Sequence, residues 1–242
     1  MEFSEGVTVQ HFVFRFATDD YTRTVAITGV NTSTSFIILT SNTSGTLSNA
    51  DERGTYSAKF NPGTGGISTS TLVERSEIGT GLDVGRVSMQ VVTMPSSTVA
   101  VVSSTIAGNV VSSSVAITAV NTSSTFIIPH VMSGNVGGVE GLFETRSFFS
   151  NIVDSTSTSI EFVKQTTSTG AGTHITAYIV SVPSAFVQAG QQKWSPTEVT
   201  TTTPITVASG SVPFLSRMGG SSAGIGNGVP KEKLTPRSLL QA

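Results

Sequence analysis

Val25-Ala26-Ile27-Thr28-Gly29-Val30-Asn31-Thr32-Ser33-Thr34-Ser35-Phe36-Ile37-Ile38 recurs as Val115-Ala116-Ile117-Thr118-Ala119-Val120-Asn121-Thr122-Ser123-Ser124-Thr125-Phe126-Ile127-Ile128, identical at 11 of 14 positions. A low-complexity chain can match Ser with Thr by chance, but not Val, Ile, Asn and Phe in one frame. Within the block Val25, Ile27 and Phe36 alternate with Ala26, Thr28 and Ser35, the period of a half-buried strand. Val30-Asn31-Thr32-Ser33 is a polar break in which Asn and Ser side chains close a turn on nearby backbone. The pattern predicts a hairpin with Val25–Thr28 beside Phe36–Leu39. It also predicts a core built from Val25, Ile27, Phe36 and Ile38, repeated as Val115, Ile117, Phe126 and Ile128.

The repeat extends both ways. Val9 falls on Val99 and Val73 on Val163, while Arg53 and Tyr56 fall on Arg146 and Phe149 after a longer loop. Val87–Val92 matches Ile175–Val180, and each run is followed by a proline, Pro95 or Pro183. His11–Phe16 carries Phe12, Phe14 and Phe16 on one strand face, with Val101–Ile106 as its less aromatic counterpart. Thr71–Arg75 reads as a further strand, and Gly79, Gly81 and Gly85 separate it from Val87. The expected fold is therefore all-β, with two tandem homologous small β-sandwich domains of five to seven strands each. Their limits are 7–95 and 97–183, after a short N-terminal segment at 1–6 and before an extended arm at 184–242. No amphipathic helix is apparent in either copy.

Composition agrees. Nearly a third of the 242 residues are Ser or Thr, only 12% are charged, and the net charge is -2. Neutral hydroxyls stand where Lys and Glu would supply helix propensity, so a helical enzyme is disfavoured. The missing basic excess argues against nucleic acid as a partner. With no cysteine, disulfides and thiolate chemistry are excluded. The first residues lack the apolar stretch of a signal peptide, and no apolar run approaches the roughly 20 residues of a membrane helix. No membrane partner is expected.

Residues that carry chemistry are sparse. His11, His130 and His174 are far apart in sequence, so a structural or surface role is expected for each, and no metal site. Asp19-Asp20 and Asp51-Glu52-Arg53 lie in loops without the ligand alternation of a calcium site. Gly224-Ile225-Gly226-Asn227-Gly228 follows no strand and lacks a phosphate-loop ending. Asn31, Asn42 and Asn121 open glycosylation-like triplets that this composition produces by chance. No catalytic residue and no cofactor are assigned. Arg53 and Arg146, the basic residues kept between copies, either cover a neighbouring aromatic or contact the next subunit.

The arm differs from the copies. It holds Thr200–Thr203, the Gly219–Gly228 linker-like run, and a net charge of +3. Such a segment is expected to stay mobile alone and to order on a partner, since ordering costs about 1–2 kcal/mol per residue. Trp194, Phe214, Leu215, Leu234, Leu239 and Leu240 are the candidate docking side chains, with Lys231, Lys233 and Arg237 meeting carboxylates.

The unit Val-Ala-Ile-Thr-x-Val-Asn-Thr-Ser, then Phe-Ile-Ile, closing on Met89-Gln90-Val91-Val92, resembles small repeated domains of tailed-bacteriophage virion proteins. There the opening often has Asp for Asn, and the closing strand resembles Trp-Gln-Val-Val-Glu. Here Met89 replaces the Trp, and the second copy keeps only the apolar pattern. The resemblance covers about 7–183 and implies a non-enzymatic structural protein of a virion surface, on head or tail. It brings no catalytic residues. Other virion proteins and a homo-oligomer, with a trimer favoured, are the expected partners. The alternative is a receptor- or glycan-binding module of a tail fibre, which the single Trp and three Tyr make second.

Overall fold

The computed structural model describes residues 6–16, 20–42, 56–75, 86–133, 148–152, 158–164, 172–183 and 187. The first six strands are β1 (Thr8–Arg15), β2 (Thr22–Asn31), β3 (Ser35–Asn42), β4 (Tyr56–Phe60), β5 (Ile67–Arg75) and β6 (Arg86–Thr93). The next six are β7 (Thr98–Ile106), β8 (Ser112–Ala116), β9 (Thr125–Ser133), β10 (Phe148–Ile152), β11 (Ser159–Lys164) and β12 (Thr173–Ser181). Apart from two short 3-10 turns, the described elements are all β. They form four antiparallel three-stranded sheets, ordered β1-β6-β3, β2-β5-β4, β7-β12-β9 and β8-β11-β10. The last two repeat the first two strand for strand.

Register repeats as well. Val92 lies between Val9 and Phe36, and Val180 lies between Val99 and Phe126. Hydroxyls of Ser35 and Thr93 meet at 2.8 Å, and those of Thr125 and Ser181 do the same at 2.8 Å. The ladders correct two sequence equivalences by one residue. Arg23 faces Val73 and Ser113 faces Phe162, so the counterpart of Val73 is Phe162, not Val163. Tyr56 and Phe148 open β4 and β10 in the same register, so Phe149 is not the counterpart of Tyr56. A slip of one residue reverses the face of a strand, and Val73 and Phe162 are both fully buried.

The predicted hairpin does not form. β2 pairs with β5 and β3 with β6, so the Asn31 turn carries the chain from one sheet to another. Alternation specifies which face of a strand is apolar but not which strand lies beside it. The turn chemistry itself is as expected. Asn31 Oδ1 accepts from the Ser33 amide at 3.0 Å and from its hydroxyl at 2.8 Å, and Asn121 repeats both contacts with Ser123 at 3.0 and 2.7 Å.

The predicted core positions are all engaged. Ile27, Phe36 and Ile128 are buried, while Val25, Ile38, Val115, Ile117 and Phe126 pack partly buried against the cores. Along β1 and just past its end the Phe14 and Phe16 rings turn inward with Phe12 beside them, leaving Val9, His11 and Val13 exposed. β2 is irregular between Ala26 and Val30, where its register on β5 shifts. There the Gln10 carboxamide bonds both backbone groups of Thr28, accepting from its N–H at 2.7 Å and donating to its C=O at 3.0 Å. One side chain thus ties β1 to β2 at the open edge of the two sheets.

Candidate functional site: the seam between the copies

β6 and β12 occupy the same central position but are buried differently. Along β6 inward Val87, Met89 and Val91 alternate with Ser88 and exposed Gln90. From Ile175 to Val180 every residue of β12 is buried. A strand covered on both faces reads as a continuous apolar run, and one with a solvated face alternates. The second cover on β12 is copy one. Val99, Ile128, Tyr178, Val180 and Val182 join the same buried cluster as Phe36, Ile37, Tyr56 and Ala58.

The polar centre of this seam is His130, whose imidazole sits between β3 and β4. Nε2 lies 3.1 Å from the Ile37 carbonyl oxygen, and Nδ1 lies 3.2 Å from both the amide nitrogen and the carbonyl oxygen of Ala58. A carbonyl only accepts, so Nε2 carries the proton and Nδ1 accepts the Ala58 N–H. The Tyr178 hydroxyl donates to the Ala58 carbonyl at 3.1 Å, completing the set. In the neutral ring Nε2 donates and Nδ1 accepts, whereas a second proton on Nδ1 would turn to the Ala58 carbonyl and lose the bond from the Ala58 N–H. Burial lowers the His130 pKa to about 4, against a smaller opposing pull from the carbonyls of Ala58 and Ile37. Burial likewise raises the Tyr178 phenol, which stays protonated as the donor.

Aromatic rings surround that centre. Phe126 meets Phe36 edge-on at 6.1 Å, Phe60 meets Tyr178 at 6.1 Å, and His130 meets Tyr178 at 5.5 Å. The seam is head-to-tail. Copy two contributes the outer face of its β7-β12-β9 sheet, and copy one contributes the β3 and β4 side. The counterparts of His130 and Tyr178 in copy one are Thr40 and Gln90, both exposed. Copy one thus presents a solvated version of the face that copy two buries.

Neither residue stood out in the sequence as more than structural. The available signal was the difference between copies: His for Thr and Tyr for Gln at aligned positions. His130 has the structural role expected. His11 and His174 are exposed, bonding Ser88 at 2.8 Å and Thr105 at 3.0 Å. Among the described residues no three His, Asp or Glu side chains group to hold a metal.

Arg53, Arg146, Trp194, Phe214, Leu215, Lys231, Lys233, Leu234, Arg237, Leu239 and Leu240 all lie outside the described residues. The cationic side chains seen over aromatic rings are others: Arg23 lies over Phe14 at 5.2 Å and Arg75 over Phe16 at 5.5 Å. No protein-family model, curated protein or solved structure matches the chain.

Proposed function

We propose that the chain is a non-enzymatic structural component of a bacteriophage particle, decorating or attaching to the virion surface on head or tail. Its working parts are two tandem β-sandwich units, 7–95 and 97–183, followed by a C-terminal arm. The observation that carries this reading is the seam, where Val99, Ile128, His130, Tyr178, Val180 and Val182 of one unit are buried against the next through neutral groups. Such contacts need neither a charged partner nor a thiol, and they suit a protein that functions by stacking. The Ser/Thr-rich composition and the resemblance of the repeated unit point the same way. In a trimer the chain presents six similar units, a match for a pseudo-sixfold site, with Arg53 and Arg146 as subunit contacts.

The test is reconstitution. Purified particles lacking the protein should take it up to a fixed stoichiometry, and host cells should not bind it. Binding to cells without uptake by particles overturns the reading in favour of a receptor-binding module.

A further inference from the structure

Copy two ends on the path by which copy one leads into copy two. After β6 the Met94 N–H donates to the Thr34 carbonyl at 2.9 Å and the Val99 N–H to the Ser33 carbonyl at 2.7 Å. After β12 the Val182 N–H donates to the Ser124 carbonyl at 2.9 Å and the Val187 N–H to the Ser123 carbonyl at 2.7 Å. Val187 thus stands where Val99 stands, at the opening strand of a next unit.

Those hydrogen bonds fix a frame before any sequence is compared. Carried forward without a gap, the frame puts Trp194 on Ile106 and Phe16, both fully buried. It puts Ile205-Thr206 on Ile117-Thr118 and Ile27-Thr28, the heart of the repeated block. Ser211 falls on Ser123 and Ser33, and Phe214-Leu215 falls on Phe126-Ile127 and Phe36-Ile37. Ser209 takes the turn position of Asn121 and Asn31, where its hydroxyl offers a similar acceptor. Pro204 falls on the counterpart of β2, an edge strand that tolerates proline.

The matching side of copy two is less deeply buried. Ile37 is fully buried and Phe36 is 3% exposed, whereas their counterparts Ile127 and Phe126 are only partly buried. Val30 is buried beside the first turn, and Val120 beside the second is not. A second whole chain is a poor cover, because its first unit would bring exposed Thr40 and Gln90 where copy two brings His130 and Tyr178.

We propose that residues 186–215 are a third, partial copy of the unit, comprising counterparts of β1, β2 and β3, and that it covers this side of copy two. Contact is made through Val187 and Phe214, the positions of Val99 and Phe126. Trp194, Phe214 and Leu215 then serve within the chain, which leaves the residues after 215 as the arm. This assignment stands apart from the particle reading.

The lone tryptophan reports on it in the full chain at low concentration. Trp194 should emit as a shielded indole, with acrylamide quenching several-fold below that in denaturant. Phe214→Asp and Ile205→Asp should each raise quenching toward the denatured value, while circular dichroism keeps the β signal of the two copies and loses only the smaller share of the third. A wild-type Trp194 as open as in denaturant overturns the proposal. Shielding that survives both substitutions overturns it too, and shielding that appears only at high concentration assigns the site to a second chain instead.

Discussion

Phe36 and Phe126 hold the same position in the two copies, yet they touch each other, edge to face at 6.1 Å. Equivalent residues that meet usually lie on a two-fold axis, but His130 and Tyr178 have no mirror contacts from Thr40 and Gln90 here. The pair lies instead at the seam, where β3 of copy one meets β9 of copy two. The difference in burial sets the energetics. Phe36→Ala should cost roughly 3–5 kcal/mol, whereas Phe126→Ala should cost about 2 kcal/mol. Because the rings touch, the double variant should be less destabilised than the sum by about 0.5–1.5 kcal/mol. Urea unfolding of the four proteins tests this, and strict additivity would remove the ring contact from the account.

Acid should loosen the seam. The unfolded chain takes up a proton on His130 near pH 6.5, while the folded chain resists until about pH 4. Between those values the unfolded state binds more protons, so stability falls as pH falls and is fully present above about 6.5. The loss approaches about 3 kcal/mol at the acid end. Urea midpoints at several pH values should show this slope, and His130→Gln, which keeps a donor and an acceptor, should flatten it. An equal slope in wild type and variant would place the titration elsewhere.

Gln10 should matter more than a half-buried polar strand residue normally does. Gln10→Ala removes two hydrogen bonds to Thr28 and should cost about 1–2 kcal/mol. Gln10→Glu keeps the acceptor but sets a carboxylate oxygen against the Thr28 carbonyl, so it should be at least as damaging as Ala. If Glu is tolerated as well as Gln, the donated bond contributes nothing.

At the two turns only an acceptor is used. Asn31→Asp and Asn121→Asp supply the same oxygen and should leave the melting temperature nearly unchanged. Asn31→Ala and Asn121→Ala should each cost about 1 kcal/mol. Comparable losses for Asp and Ala would mean that the amide nitrogen matters as well.

The repeat, the Asn31 and Asn121 turns and the inward Phe face of β1 were legible because each is local. Which strands pair was not, since Val25–Thr28 and Phe36–Leu39 alternate equally well in one sheet or in two. The one-residue error at Val163 came from counting across loops of unequal length, where Ser and Thr give no firm anchor. The apolar run Ile175–Val180 was visible, but it was read as decay of the Met-Gln pattern rather than as a strand covered on both faces. His130 carries no local signal, for its partners are backbone groups of Ile37 and Ala58 that any sequence would supply.

The strand order also dictates when the chain can fold. β1 and β3 both depend on β6, and β2 waits for β5, so among the described strands only β4 and β5, or β10 and β11, pair with a neighbour in sequence. During synthesis neither copy can close before its sixth strand has cleared the ribosome, and until then β1 holds its row of phenylalanines with no sheet to join. Pairings this distant make folding slow and leave the nascent chain open to aggregation. The Ser and Thr that surround those few apolar strands are groups that water hydrates without charge, so the waiting chain exposes mostly polar surface.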